Sequence, residues 1–215
     1  MTNRIHLFCL SLAALLVSMP PAAMAQAGRS GFSTSRSVGE REYWLALQSF
    51  GRCYARSYHE PSFDFLATQP GSAEEAAVYR RLFLTGEVGC LGDMSRMSVV
   101  VRYIRGTIAE GLLLQNIAVP PRLALAAPPS VAQIRTLSEV ARCYAATHRA
   151  EARALIADTS PGSAEELAAL EHIEADLFRC VPAVANNLQF HSTDIRYRLA
   201  EALLRMPADA APSRP

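Results

Sequence analysis

The sequence predicts an all-α protein made of two tandem three-helix units, each closed by its own disulfide bond. Short motifs occur twice at a nearly constant separation, and the residues between them repeat apolar positions with the period of a helix. The spacing of the cysteines is also the same in the two copies. Together these patterns predict the bonds Cys53–Cys90 and Cys143–Cys180.

Residues 1–25 have the layout of an export signal. Arg4 gives a positive start, residues 7–17 form an apolar run, and AMA at 23–25 matches a small-x-small cleavage site. The apolar run is shorter than the ~20 residues that a transmembrane helix needs, and no later segment resembles a membrane span. We therefore expect a mature chain that begins near Gln26 and resides in the periplasm or outside the cell.

The charge of the chain argues against two classes of partner. All 21 basic residues are arginine, and 20 residues are acidic. Since Arg4 is lost with the predicted signal, the mature chain is formally neutral. A neutral chain has no electrostatic attraction to nucleic acid or to an anionic membrane surface, so we expect neither as a partner. Another protein of the cell envelope is the partner class that the sequence leaves open.

The cysteines predict two disulfide bonds. Four of the five cysteines lie beyond the signal, and the two in each copy are 37 residues apart. Four cysteines allow three pairings, and equal spacing within a repeated unit favours pairing inside each copy. Zinc is the alternative, but isolated cysteines lack the paired C-x-x-C knuckles of structural zinc sites. We expect no metal and no cofactor.

The repeat itself consists of three blocks in a fixed order, found at 52–55 and 142–145 (RCYA), 70–75 and 161–166 (PGSAEE), and 104–114 and 195–205 (IRGTIAEGLLL and IRYRLAEALLR). The separation is 90 residues for the first block and 91 for the other two. The second copy therefore has one additional residue between its first and second blocks. Such a pattern indicates two copies of one structural unit.

PGSAEE predicts the start of a helix in each copy. Its serine and the glutamate three residues later form an S-x-x-E capping box. Ser72 and Ser163 would be the cap residues, and Glu75 and Glu166 would reach back to the N–H of the cap. No G-x-S-x-G elbow or glycine-rich phosphate loop accompanies the motif, so we interpret it as structural.

Apolar periodicity predicts the remaining helices. A first helix covers about 39–58, short helical turns bridge at 63–67 and 152–157, and a third helix in each copy carries the third block. The predicted boundaries are a signal peptide 1–25, a disordered segment 26–37, repeat one 38–114, a Pro-rich linker 115–130, repeat two 131–206 and a disordered tail 207–215. Leu123 and Leu125 of the linker are expected to dock onto a repeat.

The order R-C-Y, P-G-S-x-E-E, a lone cysteine and I-R-x-x-[IL]-A-E resembles an uncharacterised family of small exported bacterial helical proteins. The resemblance covers nearly all of both repeats. It implies export and a helical fold, and it implies no activity, ligand or catalytic residue.

The histidines do not form a recognisable catalytic or metal motif. His59, His148 and His172 lie outside any H-E-x-x-H spacing, and His148 falls on an apolar helix face that is typical of a half-buried core histidine. His172 and Asp176 are one helical turn apart, a spacing that is more typical of a solvated helix face than of a metal site. No nucleophile is placed near a base in a recognisable order.

Repeated polar residues are the candidate site residues: Arg52 and Arg142, Arg105 and Arg196, Glu110 and Glu201. The structural hypothesis is that the arginine of helix one, Arg52 or Arg142, meets the glutamate of helix three as a partly buried ion pair. The functional alternative is that the repeated arginines line a cleft for an anionic ligand. This makes all four repeated arginines candidate binding residues.

The leading functional interpretation is an exported, non-enzymatic binding or interaction protein. One alternative is a periplasmic enzyme with a site between the repeats, using His59, His148, His172 or the repeated arginines. Another is a carrier of a small apolar ligand. An enzyme would show a water-accessible cleft that gathers histidines and carboxylates from both repeats, a carrier an enclosed apolar cavity of a few hundred Å³, and an interaction protein a contiguous exposed apolar patch.

Overall fold

A computed structural model of the chain describes residues 31–33, 38–84, 89–90, 101–125, 127–128, 130–182 and 189–206. The predicted signal peptide 1–25 and the predicted tail 207–215 lie outside these residues. Eight α-helices make up most of the described chain, which confirms the all-α class. Among the helices of the described residues, none has the length and apolarity that crossing a membrane requires.

Within the described residues, each repeat has four α-helices in the same order. In repeat one these are α1 (Val38–Ser57), α2 (His59–Ala67), α3 (Ala73–Tyr79, continued by the π-helical turn Arg80–Leu84) and α4 (Val101–Leu114). In repeat two they are α5 (Leu137–Thr147), α6 (Arg149–Asp158), α7 (Ala164–Phe178) and α8 (Ser192–Arg205).

The fourth helix of each repeat corrects the sequence prediction of three helices. The segment expected to be a short bridging turn is a complete helix, α2 or α6. Pro61 lies in the first turn of α2, where a proline removes no hydrogen bond of the helix and is tolerated.

A short strand pair joins the beginning of the chain to repeat two. Strand β1 (Gly31–Ser33) pairs in parallel with β2 (Gln189–His191), with Phe32 opposite Phe190. Part of the segment 26–37 that was predicted to be disordered is therefore a strand. The sequence signal is too short to detect, since three residues give no alternation to recognise.

The PGSAEE motif begins α3 and α7 as predicted, with one difference. The Ser72 hydroxyl oxygen accepts the N–H of Glu75 at 3.0 Å, and the equivalent bond in repeat two is 3.1 Å long. Glu75, however, reaches back to the N–H of Gly71 at 2.7 Å and not to that of the cap residue. Gly71 has φ of +78°, a conformation that glycine adopts without strain, so the glycine of the motif forms the turn that places this N–H.

Both predicted disulfide bonds are present. Cys53–Cys90 ties α1 to the residues that follow α3, and Cys143–Cys180 ties α5 to the turn after α7. Each bond closes the same 37-residue separation. The two bonds thus hold equivalent helices together within each repeat.

The third block of each repeat forms the centre of the molecule. Helix α4 packs against α1 and against α8, and α8 packs in addition against α5 and α6. Every residue of α4 from Ile104 to Leu113 is buried. A single apolar core therefore extends through both repeats, and the central α4–α8 pair joins them.

The contact between α4 and α8 requires the two copies to differ. Gly106 and Tyr197 occupy the same position in the two repeats and touch each other. A Cβ atom on Gly106 would lie 2.1 Å from the Cβ of Tyr197. Two tyrosines would collide at this crossing and two glycines would leave a void, so one large and one absent side chain fill the space.

The Pro-rich linker is packed onto both repeats. Leu123 is fully buried, as expected, and Leu125 is half-buried. The N–H of Leu125 donates to the carbonyl oxygen of Arg205 at 3.0 Å, and Arg122 forms an ion pair with Glu60 on α2. The linker therefore contributes to the core as well as connecting the repeats.

Gly106→Ala should lower the free energy of unfolding by ~1–3 kcal/mol because the added methyl group overpacks the α4–α8 crossing. This loss is expected although alanine is the better helix former by ~1 kcal/mol. The measurement is urea denaturation of the oxidised protein. Gly39→Ala is the control, since a Cβ on Gly39 meets no atom within 4 Å. Equal destabilisation by both variants would contradict the close crossing.

Candidate functional site

Two arginines at the centre of the molecule form ion pairs across the repeats. The side chains of Arg105 and Arg196 are 0% exposed. Arg105 Nε donates to the two carboxylate oxygens of Glu201 at 2.9 and 3.0 Å. Arg196 donates to Glu110 through Nε at 2.9 Å and Nη2 at 2.8 Å. Each repeat therefore supplies the glutamate that pairs with the arginine of the other.

The remaining N–H groups of these guanidinium groups hold the end of a helix. Arg196 donates to the carbonyl oxygens of Leu155 and Ile156 on α6, at 3.2 and 2.9 Å, and to the Thr159 hydroxyl at 2.8 Å. Arg105 makes the equivalent bonds on α2, to Phe65, Leu66 and Thr68. A cation at the carboxyl end of a helix satisfies carbonyl groups that lack helical partners and favours the helix dipole.

The PGSAEE motif supplies a second carboxylate to each arginine. Glu75 Oε1 lies 3.2 Å from Arg105 Nη1, and Glu166 Oε1 lies 3.4 Å from Arg196 Nη1. The other oxygen of each glutamate accepts the glycine N–H of the motif. The motif therefore recurs for two reasons, because it begins a helix and because it delivers a carboxylate to a buried cation.

The surroundings of the glutamates shift their pKa values in opposite directions. Burial would raise the pKa of Glu201, but the charges and hydrogen bonds of Arg105 and Arg205 outweigh it and hold this pKa below its usual range. Burial raises the pKa of Glu166, and Arg196 only partly offsets the rise. The difference has a geometric cause, since Glu166 shares its one arginine with the closer Glu110.

The structure corrects the predicted partners of the helix-one arginines. Arg52 is exposed on α1, and its carbonyl oxygen accepts a hydrogen bond from Gln115. Arg142 is half-buried, donates to the carbonyl oxygen of Ala127 at 3.0 Å, and lines a cavity of about 140 Å³. Since Glu110 pairs with Arg196 and Glu201 with Arg105, the hypothesis of a pair between helix one and helix three is wrong.

Burial also decides which arginines can meet a ligand. Arg105 and Arg196 have no exposed surface, so they do not contact a molecule that approaches from solvent. The cleft alternative therefore loses two of its four arginines. Of the other two, Arg52 lines surface depressions of about 260 and 300 Å³, and Arg142 lines the cavity of about 140 Å³.

The histidines are placed as structural or surface groups. His148 is half-buried and stacks on Tyr144 with ring centroids 4.8 Å apart, as the sequence suggested. His59 and His172 are exposed on α2 and α7. Asp176 lies 3.6 Å from Nε2 of His148. In the described part of the chain, no group of three or more His, Cys, Asp or Glu side chains is arranged to hold a metal ion.

A groove of about 520 Å³ opens where α4 and α8 end. One wall is the chain that leaves α4, and the other is α6 with the last turn of α8. Ten of the lining residues are apolar, and they are Leu112, Leu113, Ile117, Val119, Pro120, Pro121, Ala124, Leu203, Leu204 and Met206. The volume lies within the range of small-molecule sites, ~300–1,000 Å³.

The polar part of the groove is cationic. Its four remaining lining residues are Asn116 and the arginines Arg149, Arg153 and Arg205, and no carboxylate is among the residues that line it. Arg153 is exposed and donates to the amide oxygen of Asn116 at 2.9 Å. Arg149 donates to the carbonyl oxygen of Met206 at 3.1 Å. These contacts hold two guanidinium groups at the rim.

The cap of α4 shapes the wall of the groove. Asn116 has φ of +52°, and its N–H donates to the carbonyl oxygen of Leu113 at 3.2 Å. The N–H of Ile117 donates to the carbonyl oxygen of Leu112 at 3.1 Å. This pair of bonds is the Schellman motif, in which asparagine is the usual substitute for glycine. It turns Ile117 and Val119 towards the groove.

The patterns in the sequence did not predict the groove. Its wall was assigned to the Pro-rich linker, and its two rim arginines lie on α6, which was expected to be a short turn. The available signals were the apolar residues Ile117 and Val119 within a connecting segment, and the spacing of Arg149 and Arg153 by one helical turn. Neither signal shows that the two segments meet.

Comparisons of the chain with family models, with curated proteins and with solved structures found no match. The resemblance to a family of exported helical proteins therefore stays a prediction.

Arg196→Met should lower the free energy of unfolding by ~3–5 kcal/mol because it leaves Glu110 buried without its cation. Adding Glu110→Leu should restore part of the loss, since it removes one of the two carboxylates that Arg196→Met leaves buried without a cation, the other being Glu166. Urea denaturation measures both. The control is Arg122→Met, which removes an exposed ion pair and should leave the unfolding midpoint unchanged. The same midpoint for Arg196→Met and Arg122→Met would contradict the central pairs.

The free energy of unfolding should fall at acidic pH because Glu201 becomes protonated. Its folded-state pKa is lowered, so its contribution is complete above the unfolded-state pKa and is lost as the pH falls through the folded-state pKa. Glu201→Gln should therefore flatten the loss of stability between about pH 5 and pH 3. Glu166 has a raised folded-state pKa, so its protonation adds stability as the pH falls from that pKa towards the ordinary value of 4.5, and Glu166→Gln should make the loss of stability steeper in this higher range. Urea denaturation over both ranges measures the two slopes, and a change of the same sign in the two variants would contradict the assignment.

Proposed function

We propose that the protein is an exported binding protein for a small amphipathic anion, a molecule with an apolar chain and one carboxylate. The observation that supports this is the groove at the ends of α4 and α8, which combines ten apolar residues with three arginines. This proposal takes up the carrier alternative and adds a charged end to the ligand.

The apolar walls favour a hydrocarbon chain. Leucine, isoleucine, valine and proline side chains from both repeats face one continuous space. Removing apolar surface from water contributes ~25 cal/mol per Å². A ligand of this kind would therefore gain most of its binding free energy from the walls.

The arginines favour an anion at one end. A guanidinium group presents donors in a planar fork that matches the two oxygens of a carboxylate. Arg153 stands at the rim and is oriented by Asn116, and Arg149 lies one helical turn away on α6. Because no carboxylate is among the lining residues, the groove attracts anions and repels no part of a fatty carboxylate.

The other interpretations have less support. Among the described residues, the large apolar side chains that are exposed are Leu84 and Val131, which lie on different elements and form no contiguous patch. An interaction protein would require such a patch. An enzyme would require histidines and carboxylates in the groove, and the residues that line it include neither.

Export is supported by the leader-like residues 1–25 and by the disulfide bonds. Two intra-repeat disulfides are typical of an oxidising compartment such as the periplasm or the cell exterior. An envelope protein as a partner stays a prediction from the sequence.

Titration of the oxidised protein with decanoate, decanol and decyltrimethylammonium tests the proposal. We expect decanoate to bind most tightly, decanol at least about tenfold more weakly because it lacks the charge, and the cation not at all. Isothermal titration calorimetry gives the affinities, and native mass spectrometry gives the number of bound molecules.

A matched pair of variants locates the binding. Val119→Glu places a carboxylate in the groove and should abolish decanoate binding, whereas Val131→Glu places the same charge on an exposed turn and should not. Decanoate that fails to bind, or that binds Val119→Glu as well as the parent protein, would contradict the proposal.

A further inference from the structure

The two repeats differ beside the buried ion pairs. In repeat one, Gln48 on α1 donates to Glu110 at 2.6 Å and fills the space next to that carboxylate. The equivalent residue of repeat two is Ser138, whose shorter side chain leaves a gap beside Glu201. At this position of the duplicated fold, a side chain fills the space in repeat one and a gap remains in repeat two.

The gap is a cavity of about 140 Å³ between α5 and α8, lined by Pro70, Leu125, Ser138, Arg142, Arg198, Glu201, Ala202 and Arg205. Pro70 comes from the PGSAEE turn of repeat one and Leu125 from the linker, so the cavity is bounded by both repeats. Its volume corresponds to only a few water molecules at ~30 Å³ each. A ligand of this cavity is therefore much smaller than one that fills the groove.

Arginines are concentrated around this cavity. Arg142, Arg198 and Arg205 face one acidic residue, Glu201. The equivalents of Arg198 and Arg205 in repeat one are Thr107 and Leu114. Because repeat one forms the same helices without these two cations, the shared fold does not require them.

The cations are held largely out of water. Arg205 Nη1 lies 2.8 Å from Glu201, and Arg198 Nη1 lies 4.0 Å from it. Their side chains are 12% and 16% exposed. Charged hydrogen bonds are stronger where water is largely excluded, so an anion in this cavity would gain more than at an exposed arginine.

The start of α5 adds to the positive potential. Ser138 is the second residue of α5, so the cavity lies beside the positive end of that helix dipole. The Ser138 hydroxyl is a further hydrogen-bond donor. Ser138 occupies the position that Gln48 has in repeat one.

We infer that this cavity is a binding site for a small oxyanion with the geometry of phosphate or sulfate. The arginine forks and the serine hydroxyl supply donors to its oxygens, and Glu201 orients the arginines. The site is separate from the groove, although Arg205 lines both, and it does not depend on the proposed function.

Calorimetric titration of the oxidised protein with inorganic phosphate, sulfate and acetate tests the inference, with chloride keeping the ionic strength constant. Phosphate or sulfate should bind with one site per chain, and acetate more weakly because it has fewer oxygens.

Ser138→Gln introduces the residue that repeat one has at this place and should weaken oxyanion binding at least about tenfold. Arg198→Thr, also the residue of repeat one, should weaken it similarly.

Gln48→Ser is the matched control, since it opens the equivalent space in repeat one where the two additional arginines are absent. It should leave oxyanion affinity unchanged, and circular dichroism should show the same helical content for all variants. Heats that match those of chloride, or an affinity that Ser138→Gln and Arg198→Thr leave unaltered, would overturn the inference. Decanoate binding by the same variants separates this result from the proposed function.

Discussion

The reciprocal pairing of Arg105 with Glu201 and of Arg196 with Glu110 is the constraint on which the structure depends. A guanidinium group without exposed surface needs acceptors for its N–H groups, and leaving such a charge unpaired is strongly destabilising. In each repeat, the carbonyl groups of one helix and a PGSAEE glutamate provide some of these hydrogen-bond acceptors. The glutamate of the other repeat provides the rest, so neither arginine is fully paired until both repeats are folded and packed together.

Comparison of the two copies distinguishes residues that the fold requires from residues that it tolerates. The cap serines, the cysteines and the central arginines and glutamates recur because each repeat needs them. Gly106 and Tyr197 differ because they meet each other at the α4–α8 crossing, where one large and one absent side chain fill the space. Ser138, Arg198 and Arg205 differ from their counterparts Gln48, Thr107 and Leu114, and they surround a cavity. Positions that differ between the repeats and surround a cavity are where a duplicated fold can hold a binding site.

Local patterns predicted the parts of the structure that depend on neighbours in sequence. The helices other than α2 and α6, the capping serines and the disulfides follow from periodicity, a four-residue motif and equal spacing. The partner of Glu110 could not be predicted in this way, because Arg196 is 86 residues away and meets it only through the packing of α4 on α8. The groove was missed for a similar reason. Its wall is formed by residues such as Val119 in a connecting segment, and no rule of spacing relates these to Arg153 on α6.

Native-state hydrogen exchange followed by mass spectrometry tests most directly whether the repeats depend on each other. If each repeat completes the buried charges of the other, amides of α4 and α8 can exchange only when the whole molecule unfolds. Both helices should then show the same free energy of opening, equal to that of global unfolding from urea denaturation. A lower value for one central helix while the other stays at the global value would show that one repeat opens alone, and would contradict the account.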